Sequence, residues 1–175
     1  MTDDRRRRFE AQALPHLDAA YNLARWLTRS PADAEDLVQE TMLLAYRSFD
    51  NVRGTQIRAW LLTILRNCHI SAHRKAPPGR LVPLPEENPE APSGLVLIAE
   101  GPDPEGAAIG AEEGRQLSRW LAQLPEEFRE VLVLRELEEC SYREIAEIMG
   151  VPIGTVMSRL SRARALLKEI CGDLR

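Results

Sequence analysis

The chain of 175 residues is short of aromatic residues, of cysteine and of long apolar runs. Aromatic residues make up 5% of it, which suits the small aliphatic core of a helical bundle. The three cysteines, Cys68, Cys140 and Cys171, are odd in number and widely spaced, so reduced thiols are expected instead of a disulfide framework. No apolar run approaches the roughly 18 residues of a membrane span, and the polar start MTDDRRRRFE is not a signal peptide. We therefore predict a cytoplasmic protein without membrane insertion.

The patterns of a catalytic centre are also missing. The sequence has no glycine-rich phosphate loop and no nucleophile elbow, so neither an enzyme nor a protein with a cofactor or small-molecule substrate is expected. Cys68, His69 and His73 share one segment and invite a metal site. A zinc site needs about four ligands, and no fourth is evident nearby, so we predict no metal.

Charge is unevenly distributed along the chain. The formal net charge is −4, yet residues 51–85 hold six Arg or Lys and no acid, whereas residues 86–113 hold eight Asp or Glu and no base. Residues 153–168 carry Arg159, Arg162, Arg164 and Lys168 without a carboxylate. Basic blocks on both sides of an acidic block indicate two anion-binding surfaces joined by an anionic connector.

Apolar residues recur at helical spacing through both basic blocks. Ser30 and Pro31 are typical of an N-cap and a first helical position, and a long helix is expected from Gln56 to Lys75 after a loop at 49–55. The exposed side of this long helix is predicted to carry Arg58, Arg66, Asn67, His69, His73 and Arg74. Further helices are predicted at 17–27, 31–47, 109–124, 125–137, 141–149 and 152–170. The predicted fold is all-α, with two small helical domains at 1–76 and 107–175.

A flexible acidic linker, rich in proline and glycine, is predicted to join the domains at 77–106. It contains the apolar run GLVLIA at 94–99, and we expect Leu95 to Ala99 to pack against another apolar surface. One possibility, slightly favoured, is a compact free protein in which the run bridges the domains and partly hides their basic faces. The other is a groove supplied by a protein partner.

A helix-turn-helix is predicted near the C-terminus. Ser141-Tyr142-Arg143-Glu144 is a capping box ahead of an apolar run, Gly150 lies where the turn needs it, and Pro152 begins the second helix. Val156, Leu160, Ala163, Leu167 and Ile170 form its buried stripe. Its outer arc holds Thr155, Ser158, Ser161 and Arg162, with Arg159 and Arg164 on its flanks, and this arrangement suits the major groove of DNA. The alternative is a helical hairpin with an ordinary cationic face.

Two further stretches complete a resemblance to a known family. Region 4 of the sigma-70 family, in its extracytoplasmic-function (ECF) group, is similar to LPEEFREVLVLRELEECSYREIAEIMGVPIGTVMSRLSRARALL. Region 2 of the same group resembles DAEDLVQETMLLAYRSF and RAWLLTILRNCHISAHRK. Both motif sets occur in the expected order. Two positions of the second helix depart from the family, with Met157 and Ser161 where relatives often carry basic or larger residues.

The resemblance implies a sigma factor whose partners are core RNA polymerase, promoter DNA and an anti-sigma factor. It implies that Asp36, Gln39 and Glu40 contact polymerase. The −10 element would be held by Arg58, Trp60, Arg66, Asn67, Arg74 and Lys75. The −35 element would be read by Thr155, Ser158, Arg159, Ser161 and Arg162. Two alternatives remain: a sigma-like decoy that binds an anti-sigma factor but not DNA, and a LuxR-type regulator with a similar helix-turn-helix.

Overall fold

The computed structural model describes residues 2–52, 56–75 and 104–172, and within these ranges it contains helices and turns but no strand. The predicted all-α class is therefore confirmed. The helices are α1 (Thr2–Ala13), α2 (Leu17–Thr28), α3 (Pro31–Ser48), α4 (Ile57–Lys75), α5 (Pro104–Ala122), α6 (Glu126–Leu132), α7 (Tyr142–Met149) and α8 (Ile153–Gly172). Most of the predicted linker, including the apolar run at 94–99, lies outside the described residues.

The boundary between α2 and α3 follows the predicted capping residues. Arg29 has φ 59° and ends α2 in the left-handed conformation. Ser30 is extended, and its hydroxyl oxygen accepts a hydrogen bond from the backbone N–H of Asp33 at 3.4 Å, with Pro31 at the first helical position. The short non-helical step reverses the chain, so α2 and α3 pack against each other.

Two predicted helix boundaries were wrong. Helix α5 begins at Pro104, five residues before the expected start at Ile109. The helix expected over 125–137 is α-helical only over Glu126–Leu132 and continues as a π-helical turn over Val133–Leu137. Residues 131–134 are all buried, so these four residues show no alternation of buried and exposed side chains from which a helical period can be read.

One hydrophobic core runs through both halves of the chain. Leu23 of α2 and Leu65 of α4 belong to the same cluster of buried side chains as Leu134 and Ile145 from the C-terminal half. Helix α4 packs against α7, and α2 packs against α6. A second, smaller cluster around Phe9, Phe49 and Leu61 holds α1 on α3 and α4. The two predicted domains are thus also joined by direct packing.

The predicted helix-turn-helix is present. The Ser141 hydroxyl oxygen accepts a hydrogen bond from the Glu144 N–H at 3.1 Å, and the Glu144 carboxylate accepts one from the Ser141 N–H at 2.7 Å. Gly150 has φ 65°, a conformation that costs glycine little and allows the sharp turn. Beyond it, Val156, Leu160 and Ala163 bury the inner stripe of α8, which leaves the predicted outer arc in solvent.

Substitution of Ser141 by Ala should lower the free energy of unfolding by about 0.5–2 kcal/mol, because the first turn of α7 loses its cap. The matched control is Ser161→Ala, an exposed serine inside α8, which should change stability by less than about 0.5 kcal/mol. Urea denaturation of both variants measures this. Equal losses would contradict a stabilising role for the capping box.

Candidate nucleic-acid and polymerase interfaces

The outer arc of α8 presents short polar side chains and one unengaged guanidinium. Ser158, Ser161 and Arg162 are exposed, and Thr155 is half-buried. The Ser158 hydroxyl donates to the Thr155 carbonyl oxygen at 3.0 Å, so its proton is used within the helix. Within the described part of the chain, Arg162 makes no hydrogen bond or ion pair. The arc can approach a nucleic acid closely and offers Arg162 as its free cation.

The cations on the flanks of α8 are already paired. Arg159, 24% exposed, has its guanidinium 3.5 Å from the Glu127 carboxylate of α6. The Arg164 guanidinium donates to Glu136 at 2.7 Å. Arg159 was predicted to reach DNA alongside Arg162, but the structure turns it toward α6. A DNA contact by Arg159 therefore requires its release from Glu127.

Helix α4 presents part of its basic face to the C-terminal half. Arg66 Nε donates to Glu130 Oε1 at 2.6 Å, and Glu130 is only 4% exposed. His69 Nε2 lies 3.0 Å from Glu126 Oε1. The prediction that Arg66 and His69 lie on an exposed side was therefore wrong for this arrangement. Helix periodicity identifies the face that α2 and α3 leave free, but it does not reveal that α6 covers that face.

The remaining residues predicted for the −10 element are differently placed. The Arg58 guanidinium is 3.6 Å from the Glu144 carboxylate of α7, so Arg58 also faces the C-terminal half. Asn67 and Arg74 are exposed. Trp60 is half-buried against the smaller core cluster. Lys75 ends α4, and its side chain lies outside the described part. Asn67 and Arg74 are therefore open to solvent, whereas Arg58 and Arg66 are covered by the C-terminal half of the chain.

Burial and pairing move the pKa values of the interface carboxyls in opposite directions. The hydrogen bond from His69 lowers the pKa of Glu126. Burial raises the pKa of Glu130, and the opposing charge of Arg66 does not fully offset it. For Glu144, burial works against the charged form, yet hydrogen bonds from Ser141 and the charge of Arg58 hold its pKa below its usual range. The surroundings of Glu130 therefore disfavour its charged form, whereas those of Glu126 and Glu144 favour theirs.

The predicted polymerase surface on α3 is open. Asp36, Gln39 and Glu40 are all exposed. Beside them, α1, α2 and α3 enclose a groove of about 860 Å³ whose lining includes Gln39 and the exposed leucines Leu14 and Leu43. The sequence did not predict this groove, because its lining residues come from three different helices and form no pattern within any one of them. Leu43 itself is 61% exposed, which is a signal that only the structure supplies.

Within the described ranges, no group of three or more His, Cys, Asp or Glu side chains is arranged to hold a metal ion. His69 and His73 do lie close, with ring centroids 4.1 Å apart. His73 Nδ1, however, lies 3.0 Å from the backbone oxygen of His69. No helix in the part of the chain that the structure describes is long and apolar enough to cross a membrane.

Comparison with known families matches both halves of the chain. The profile for Sigma-70 region 2 matches residues 14–77, and the profile for Sigma-70, region 4 matches residues 114–167. The ECF RNA polymerase sigma factor SigE of Mycolicibacterium smegmatis is 37% identical over 154 residues, which are 88% of this chain and 58% of SigE. SigW of Bacillus subtilis, also an ECF sigma factor, is 31% identical over 162 residues, which are 90% of this chain and 85% of SigW.

Two solved structures share the arrangement of helices. The sigma factor RpoE of Bartonella quintana, solved in complex with the anti-sigma factor NepR, matches with a TM-score of 0.71 and 31% identity over 95% of this chain and 98% of that chain. CnrH, solved with the cytosolic domain of CnrY, matches with a TM-score of 0.66 and 23% identity over 96% of this chain and 90% of that chain. The second match shows a shared fold alone.

The opposite pKa shifts at the α4–α6 contact predict opposite pH dependences. The lowered pKa of Glu126 means that its contribution to stability is present above its unfolded-state pKa of about 4.3 and lost as the pH falls through its folded-state value. The raised pKa of Glu130 means that its contribution is present below about 4.3 and lost as the pH rises through its folded-state value. As the pH rises toward about 4.3, the stability of wild type minus that of Glu126→Gln should rise and then level off just above that pH. As the pH rises above about 4.3, the stability of wild type minus that of Glu130→Gln should fall.

Urea unfolding at a series of pH values measures both differences, and each variant is the control for the other. The slope for Glu126→Gln should be the shallower one, because the Glu126 side chain is 53% exposed and solvent screens its charge. If both stability differences changed with pH in the same direction, the charge of Arg66 would outweigh the effect of burial on the pKa of Glu130.

Proposed function

This chain belongs to the ECF group of RNA polymerase sigma factors, and from that premise we propose that it binds core RNA polymerase and directs initiation at promoters with particular −35 and −10 elements. The observation that carries the proposal is the pairing of a region 2 match with a region 4 match whose second helix, α8, has an outer arc free of acids. In this function the protein supplies recognition and the polymerase supplies the chemistry, so it is not itself an enzyme. Its place of action is the cytoplasm.

The polymerase contact is proposed for α3. Asp36, Gln39 and Glu40 offer two carboxylates and an amide in solvent, and Leu43 adds an apolar side chain on the same helix. An acidic rim beside an apolar groove suits a partner helix that carries basic and apolar residues. Copurification with core polymerase tests this contact and separates a sigma factor from a decoy or a LuxR-type regulator.

Promoter contact is proposed for two helices. The outer arc of α8, with Arg162 at its centre, would enter the major groove of the −35 element. On α4, Asn67 and Arg74 are free to meet the −10 strand. Arg66 and Arg58 become available only when their contacts with Glu130 and Glu144 break, so −10 binding requires α6 and α7 to leave α4.

An anti-sigma factor is proposed as a further partner. RpoE, a relative of similar length that covers 95% of this chain in superposition, was solved bound to NepR. The groove beside Leu14 and Leu43 is the apolar surface in the described part of region 2 that such a partner could cover. Competition between core polymerase and a candidate anti-sigma factor for this surface would regulate the protein.

Charge reversal on α3, Asp36→Lys with Glu40→Lys, should weaken core binding roughly tenfold or more, which is about 1.4 kcal/mol. Loss of complementary charge is the physical reason, and unfolding stability should stay within about 0.5 kcal/mol of wild type because both side chains are exposed. The matched control reverses two exposed acids of the other half, Glu113 and Glu169. Normal assembly by the α3 variant would show that the surface is misassigned.

Arg162→Ala should weaken binding of the polymerase-bound protein to a promoter by roughly 1–3 kcal/mol and relax specificity at particular −35 positions, as expected for a guanidinium on a base edge. Arg159→Ala should cost less, because the Arg159 guanidinium faces Glu127. Binding to a promoter series with single −35 substitutions measures both. An equal loss of specificity would show that Arg159 leaves Glu127 on DNA, and unchanged binding by both variants would exclude α8 as the recognition helix.

A further inference from the structure

Two large apolar side chains stand in solvent on the recognition helix α8. Ile153 is 49% exposed and Met157 is 55% exposed, and they lie four residues apart, hence one above the other on the same face. The buried stripe of α8 is complete without them, and Met157 lies roughly 90° around the helix from its centre. Neither residue contributes to the core, so the position of Met157 needs another explanation.

The surroundings of Met157 indicate what it meets. Its neighbours on the exposed arc are small: Ser158, Ser161 and Gly154, at which an added Cβ would meet nothing within 4 Å. Met157 therefore protrudes beyond the polar side chains around it. The segment 153–168 carries four cations and no carboxylate, and Arg162 on this arc has no ion-pair partner in the described part of the chain, which suits a polyanion as the partner of the arc.

A thioether side chain can recognise only one group in the major groove. Methionine has no hydrogen-bond donor and a weak acceptor, so it cannot read the donor and acceptor pattern of base edges. Thymine presents a C5-methyl group there, the apolar group that distinguishes it from the other bases. Methionine is flexible and polarizable, which suits contact with a methyl group whose position varies with local DNA geometry.

We propose that Met157 is a specificity-determining residue that contacts the 5-methyl group of one thymine in the −35 element. This inference rests on the proposed promoter function and deepens it. Arg162 lies five residues further along α8, about 140° around the helix and about 7.5 Å along its axis. The two side chains therefore read different base pairs, with Arg162 recognising a hydrogen-bonding edge and Met157 a methyl group.

The test removes the methyl group from DNA without any other change. The −35 element is first selected from random sequence with the full chain on core polymerase, and each thymine in it is then replaced by deoxyuridine, one at a time. For wild type, one replacement should weaken binding about fourfold, the value for one buried methyl group. For Met157→Ala, thymine and deoxyuridine at that position should bind equally, while the other thymines behave as in wild type.

Two control variants keep the outcome unambiguous. Met157→Leu should retain the preference for thymine, and Ile153→Ala should leave it intact. A thymine preference that disappears in Ile153→Ala but persists in Met157→Ala would overturn the assignment, as would the absence of any methyl effect in wild type. If Met157→Ala weakened core binding without a methyl effect, Met157 would be a protein contact and the inference wrong. If no upstream element were selected and Arg162→Ala had no effect, the promoter function itself would fail.

Discussion

The contact between Arg66 of α4 and Glu130 of α6 is the constraint around which the two halves are arranged. A carboxylate that is 4% exposed has lost most of its hydration, and a buried charge is tolerated only when a partner compensates it at close range. Arg66 Nε, 2.6 Å away, is that partner. The pair lies beside a continuous apolar core formed by residues of both halves, so the electrostatic contact and the packing hold one another in place.

This arrangement covers one of the surfaces proposed to bind DNA or polymerase and leaves the others open to solvent. Arg58 and Arg66 are paired with carboxylates of α7 and α6. The acidic rim and groove of α3 and the outer arc of α8 remain in solvent. A polymerase contact on α3 needs no rearrangement, whereas access to the basic face of α4 requires the shared core to part. Parting exposes Leu65 and the rest of the shared apolar core to water, and this cost favours the closed form.

Most of the local structure could be predicted from the sequence, because its signals act over a few residues. Ser30 with Pro31, the capping box at Ser141 and the left-handed Gly150 each satisfy a nearby backbone need, and all three are present in the structure. The buried stripe of α8 followed from periodicity. The predictions that failed concern contacts between helices that are far apart in the sequence. The coverage of Arg66 and His69, the groove beside Leu43 and the pairing of Arg159 all depend on which helix packs on which, and no residue pattern within one helix encodes that. The π-helical turn at Val133–Leu137 was missed for a related reason: residues 131–134 are all buried, so they show no alternation of buried and exposed side chains from which a helical period could be read.

The covered cations of α4 also bear on how strongly the free protein would bind DNA of any sequence. Chromosomal DNA presents a vast excess of non-specific sites, and affinity for them rises with the number of cations free to displace counterions from phosphates. With Arg58 and Arg66 engaged internally, and with a net charge of −4, the closed protein has fewer cations free to displace counterions from phosphates. If the protein binds core polymerase as proposed, intramolecular pairing would keep these two cations away from non-specific DNA until that contact forms.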